Sequence, residues 1–242
     1  MMVIYMDPLA ASMLVIAGGV LVGICVHFIP TSAVGAMSAS TGIATGPSML
    51  SFGAGLTGIL SASYAVDEGL SLVMASGAVG SALMVTLTIL GSNIVNIFGI
   101  GVPPASGQTA RGQSVLARGT KDIITGWEQK GFVTPGTDGH GMPVQTHLSG
   151  IAGGVMGGAG GGMVFYGIYT LIHPTMIDAI SAAGLLAAGV FLINCVLPAY
   201  TLVGKTEGLF DQKIRRIHKT FFSCLVVSTF FALVLYTVVV LF

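Results

Sequence analysis

Charge is what this chain has least of. Only 7% of its 242 residues are charged, where soluble domains carry about 25%. No Lys or Arg precedes Arg111. The N-terminus thus lacks the basic start of a cleaved signal peptide, and its first apolar run is long enough to stay in a membrane. No nucleic-acid partner is expected. The three cysteines, Cys25, Cys195 and Cys224, all lie in apolar runs without a C-x-x-C partner. That excludes a disulfide framework and reads as small buried hydrophobes. No G-x-x-x-x-G-K-[ST] occurs, so nucleotide hydrolysis by that route is excluded. The strand-period alternation of an outer-membrane barrel is also missing.

What the chain does have is apolar length. It is 53% hydrophobic, and runs able to cross a hydrocarbon core of about 30 Å recur throughout. The reading is an all-α polytopic membrane protein with about six spans. They run approximately over 8–28, 40–62, 70–98, 149–172, 178–203 and 220–242. Residues 1–98 form an N-terminal membrane half, 99–148 a polar loop, and 149–242 a C-terminal membrane half with a basic linker at 204–219. His27 and Pro30 mark the exit of the first span. Pro47 interrupts the second segment and is expected to displace the Ile43 carbonyl; this segment either spans or re-enters. Thr175 and Asp178 have the spacing of a capping box before the fifth span.

All nine Lys and Arg lie in loops 99–148 and 204–219. The positive-inside rule makes those loops cytoplasmic and the chain a multi-pass cell-membrane protein. With six spans, Asp7, Asp67, Glu68 and Asp178 fall on the other side and both termini face outward; if the second segment re-enters, the N-terminus moves to the cytoplasmic side. The pentapeptide IAGGV occurs at 16–20 and again at 151–155, with HFIPT and HPT following. Three spans per half would put the copies in opposite orientations, the inverted-repeat plan of many transporters. Chance matching of short glycine-rich strings is the competing explanation.

The stretch PGTDGHGMPVQTHLSGIAGGVMGGAGGGM, 135–163, passes from polar loop to uncharged helix near Leu148. Gly150, Gly154, Gly158 and Gly162 recur every fourth residue, and Gly153 and Gly157 widen the stripe. Such a stripe lets another backbone approach closely in lipid; the alternative is a bare face along which an ion or ligand passes. GAGLTG at 53–58 fits G-x-G-x-x-G but lies in a membrane segment, without the strand and acidic residue of a dinucleotide site.

No carboxylate or amine lies near the middle of any span. The candidate ion-path groups are hydroxyls (Thr41, Thr45, Ser48, Ser51, Thr57), amides (Asn93, Asn96, Asn194) and freed carbonyls. Pro198 releases the Asn194 carbonyl beside the Asn194 amide, and unwound carbonyls coordinate Na⁺ in transporters. Kinked helices satisfied by their neighbours are the plain alternative. Asp67, Glu68 and Asp178 stand at outer helix ends, as caps or as a cation vestibule. His140, His147 and Asp138 match no zinc spacing, and no metal ligand, cofactor ligand or catalytic residue is nominated. In the linker, Phe210, Ile214 and Ile217 share a helical face opposite Lys213, Arg216 and Lys219. With Arg215 and the lone Trp127, these cations are read as contacts for anionic lipid or for a cytoplasmic partner.

MDPL, VHFIPTSAVGAMSASTGIATGPSMLSFGAGLTGIL, GVPPAS and above all GTDGHGMPVQTHLSGIAGGVMGG resemble the D subunit of the membrane-bound tetrahydromethanopterin S-methyltransferase of methanogenic archaea. The resemblance covers nearly the whole chain. If the family begins at MDP, Met6 is the native start and Met1–Tyr5 an extension. The resemblance implies a complex that moves a methyl group from methyl-tetrahydromethanopterin to coenzyme M through a cobamide on another subunit, coupled to Na⁺ export. It implies membrane partners, the sister subunits C and E, and places the methyl-transfer chemistry elsewhere. No residue-level role is carried over. The alternative is a stand-alone secondary transporter with broken helices.

Overall fold

The computed structural model describes residues 6–30, 46–94, 147–202, 206 and 208–240. Six α-helices organise them: α1 Pro8–Cys25, α2 Gly46–Ser63, α3 Leu70–Ile94, α4 His147–Ile172, α5 Ala179–Leu202 and α6 Ile217–Val240. There is no strand among the described residues. Five helices are long and apolar enough to cross a membrane, and the apolar part of α2, Leu50–Ser63, is shorter.

Local chemistry sets the helix ends. Asp7 caps α1, its carboxylate accepting from Ala10 N at 3.3 Å, with Pro8 in the first turn. Pro47 is the second residue of α2. There a missing N–H costs nothing, so within the described residues Pro47 starts a helix rather than kinking one; Ile43 lies outside them. Asp178 alone caps α5, accepting from Ser181 N at 3.4 Å, while Thr175 Oγ1 donates back to Ile172 O at 2.9 Å. The expected capping box is therefore two separate devices, one closing α4 and one opening α5. The basic linker is not a continuous amphipathic helix: it makes two 3₁₀ turns, Gly208–Phe210 and Gln212–Arg216, that run into α6.

The glycine helix α4 is the centre, with α1, α2, α3 and α5 packed around it. Its contacts reveal an inverted duplication whose register the repeated IAGGV supplies. Gly18 packs on Gly160, Met163 and Val164, whereas Gly153 packs on Cys25, Phe28 and Ile29. With Gly18 matched to Gly153, each of these neighbours corresponds to its opposite number. The outer helices follow: α3 meets α4 through Val73–Gly162 and Gly77–Gly158, while α6 meets α1 through Thr220–His27 and Cys224–Gly23. The α2–α5 contact lies on the pseudo-twofold itself, with Gly55 against the Phe191 ring.

The duplication does not extend to the histidines. In this register His27 corresponds to Gly162, not to His173. Pro30 cannot continue a helix, so α1 ends at Cys25 in a turn, while α4 runs on to Ile172.

Antiparallel packing segregates the described charge. Asp7, Asp67, Glu68 and Asp178 lie at one end of the bundle, and Asp211, Lys213, Arg215, Arg216 and Lys219 at the other.

Candidate functional site

None of the six helices contains an Asp or Glu. The interior instead holds two helix crossings that the pseudo-twofold relates. At the first, α2, α3 and α4 meet through Gly58, Gly77 and Gly158. A β-carbon on Gly158 would run into the Gly77 carbonyl, and one on Gly77 would stand 2.5 Å from the Gly158 carbonyl. Only glycine on both sides permits that approach. Ser81, fully buried beside the crossing, keeps a hydroxyl with no hydrogen bond among the described residues.

The second crossing joins α1, α5 and α6 and is polar. Asn194 is fully buried; its Nδ2 donates to Val190 O at 2.9 Å, and its Oδ1 accepts from Ser228 Oγ at 3.3 Å. Pro198 lies inside α5 and strips the Asn194 carbonyl of its helical partner. That carbonyl is not bare, because the Cys224 thiol donates to it at 3.7 Å. Gly19 and Gly23 leave the room: side chains there would meet Ser228 and Cys224. Correspondence is residue by residue, Ser81 with Ser228, Gly77 with Cys224, Gly158 with Gly23, Gly58 with Asn194. The sequence singles out Asn194 but not Ser228 and Cys224; their i, i+4 spacing with Thr220 on α6 is the signal that could have found them.

Phe191, which no sequence pattern marks, is fully buried where α2, α4 and α5 face one another, and Gly55, Gly157 and Gly161 leave space for its ring. The GAGLTG glycines are packing positions: Gly53 faces Met84, Gly55 faces Phe191, and Gly58 faces Gly158. The α2 hydroxyls largely bond their own helix, Thr57 to Gly53 O at 2.9 Å and Ser61 to Thr57 O at 2.9 Å.

At the basic end, His27 Nε2 lies 2.6 Å from Thr220 Oγ1, and Arg216 donates to Thr201 O at 2.6 Å. Ser149 Oγ donates to Phe28 O at 2.6 Å and accepts from Leu209 N at 2.7 Å, tying α1, α4 and the linker together. Gly208 adopts φ +67°, and a side chain there would collide with Ser149 and Phe28. Burial pushes His27, in the turn beyond α1, from 6.5 to about 4, against weaker opposing effects of the Lys213 backbone and Asp211. It is neutral at pH 7.

The other predicted residues scatter. Asp67, Glu68 and Asp178 are exposed at the acidic end, and Gly150, Gly154, Gly158 and Gly162 line the buried seam. Ser48 lies in the first turn of α2 and Asn93 in the last turn of α3. Ser51 is buried within α2. Lys213 pairs with Asp211 at 3.9 Å, and Arg215, Arg216 and Lys219 are exposed. Thr41, Thr45, Asn96, Trp127, Asp138 and His140 lie outside the described residues. His147 begins α4 and is buried; no group of three metal-binding side chains occurs among the described residues.

Known proteins are similar in sequence to this chain along nearly its whole length. The family model for the D subunit of tetrahydromethanopterin S-methyltransferase matches residues 8–228. The D subunit of that enzyme from Methanothermobacter marburgensis is 41% identical over 227 residues, covering 92% of this chain and 93% of that protein. Those of Methanopyrus kandleri and Methanosarcina barkeri are 39% and 37% identical, covering 91% of this chain and 93% and 90% of theirs. The helical bundle, sealed at both of its crossings, is thus that of a chain belonging to the family of tetrahydromethanopterin S-methyltransferase D subunits.

Proposed function

We propose that this chain is a non-catalytic membrane subunit of the complex that moves a methyl group from methyl-tetrahydromethanopterin to coenzyme M, and that it serves Na⁺ translocation and assembly. The observation that carries the reading is the interior: six helices without a carboxylate, closed by backbone contact at one crossing and by hydrogen bonds at the other. Desolvating Na⁺ is costly unless oxygen ligands replace its water, and Asn194, the best oxygen cluster, is already consumed internally. The Na⁺ path therefore runs along a face shared with sister chains, subunits C and E being the partners expected, with a sister chain supplying the principal carboxylate. Asp67, Glu68 and Asp178 form this chain's part of the outer mouth, and the basic end faces the cytoplasm. The cobamide and the methyl-transfer groups belong to other subunits.

Purification in mild detergent, with companions identified by mass, separates this role from that of a lone transporter. A subunit brings its partners and is unstable without them; a chain that is stable alone and binds a solute contradicts the proposal. Cysteine scanning of α2, α4 and α5 then locates the path, because Na⁺ should protect only positions on the shared face.

A further inference from the structure

We propose that the outer face of α1, between α4 and α6, binds one hydrocarbon chain of an anionic membrane lipid whose headgroup rests under the basic linker. A cavity of about 500 Å³ opens there. Met13, Ala17, Leu21 and Ile24 of α1 line it, with Met163 of α4 and Phe221 of α6 as walls. No polar side chain among the described residues lines it.

Size and direction select the occupant. A single helix turn, a cylinder about 10 Å wide with a pitch of about 5.4 Å, already takes roughly 420 Å³. The groove would be filled by one turn, whereas a lipid chain fits along it. From Met13 to Ile24 the groove follows α1 for about 16 Å, about half of the roughly 30 Å that a spanning partner helix would cover. A partner helix would cross both leaflets. The α6 wall is confined to the basic end, since Phe221 and Leu225 lie just below the linker.

Charge is complementary at that end only. The linker crosses over His27, three residues beyond Ile24, and carries Lys213, Arg215 and Arg216. His218 continues the Phe221–Leu225 row one turn upward and is exposed, as is Arg215. A basic residue near an anionic bilayer surface contributes about a fivefold preference. The acidic end of the same helices offers a lipid headgroup no cation among the described residues.

The test uses the assembled complex in nanodiscs, with a fluorophore on Met13→Cys at the inner end of the groove. Cys25, Cys195 and Cys224 are fully buried and do not compete for label. Quenching by brominated phosphatidylglycerol is compared with quenching by brominated phosphatidylcholine. Leu72→Cys, at matching depth on the exposed face of α3, is the control. The expected result is quenching at Met13 by about tenfold less phosphatidylglycerol than phosphatidylcholine, and equal quenching at Leu72. Arg215→Gln with His218→Gln should lower the Met13 preference about fivefold, and Ala17→Phe should remove it by filling the groove. Equal quenching by both lipids at Met13 would reduce the groove to ordinary lipid contact and overturn the proposal. Absence of quenching at Met13 would show that protein occupies the groove, which also overturns it.

Discussion

The two membrane halves use one scaffold and close it in opposite ways. In the N-terminal crossing, Gly58, Gly77 and Gly158 bring three backbones into contact, with Ser81 left unbonded among the described residues. In the C-terminal crossing the same positions hold Asn194, Cys224 and Gly23, and Ser228 has its amide partner. The difference separates two sources of stability in lipid. Water supplies no hydrophobic force between buried helices there, so association rests on close packing or on interhelical hydrogen bonds. Packing of backbone on backbone cannot yield, whereas a hydrogen-bonded side chain can turn aside. The halves should therefore fail differently.

The largest contrast is expected between equivalent glycines. Gly→Ala gains about 1 kcal/mol of helix propensity. At Gly158 the new methyl meets the Gly77 carbonyl, and overpacking against unyielding backbone should cost about 3 kcal/mol, the upper end of the usual range. Gly158→Ala should abolish recovery of folded complex. At Gly23 the methyl meets the Cys224 thiol, so Gly23→Ala should be milder and Cys224→Ala should restore it. Thermal unfolding in detergent of the two variants and the double variant decides this; equal losses would erase the distinction.

A smaller effect tests the hydrogen bonds. Membrane side-chain hydrogen bonds contribute about 0.6 kcal/mol on average, so Asn194→Leu, which strands the Ser228 hydroxyl but leaves the main-chain carbonyl that Cys224 bonds, should cost about 1 kcal/mol. Ser81→Ala removes a hydroxyl that has no hydrogen bond among the described residues and should change stability by less than about 0.5 kcal/mol. A large loss at Ser81 would place a ligand there.

A pH-dependent effect concerns the asymmetric end of α1. A histidine whose pKa is lowered to about 4 on folding favours the native state fully above 6.5, where both states are neutral. As pH falls from 6.5 to 4 the unfolded state takes up the proton first, and stability falls by on the order of 2–3 kcal/mol. His27→Gln should flatten that part of the stability profile; an unchanged slope would assign it to other groups.

Much of the architecture is legible in the sequence. Apolar length marks the helices, the glycine stripe marks the central seam, and IAGGV carries the register of the inverted repeat. The match of HFIPT with HPT misleads, because Pro30 ends α1 at a point where α4 continues. Pro47 resembles an interruption because its position relative to the helix start is set by the preceding chain, not by proline itself. Asn194 is visible as an intramembrane amide, but Ser228 and Cys224, which bond it across the crossing, come from α6, and pairings across sequence distance leave no local trace. The linker has the spacing of an amphipathic helix, yet Ser149 and Gly208 pin it into 3₁₀ turns.

One experiment tests the sealed interior most directly: labelling Ser81→Cys and Ser228→Cys in the assembled complex with a water-borne maleimide, with and without Na⁺. A sealed interior predicts that neither thiol reacts under either condition, while exposed positions on the shared face respond to Na⁺. Labelling at Ser81→Cys that Na⁺ prevents would put the ion path through the middle of this chain and contradict a path along its outer face.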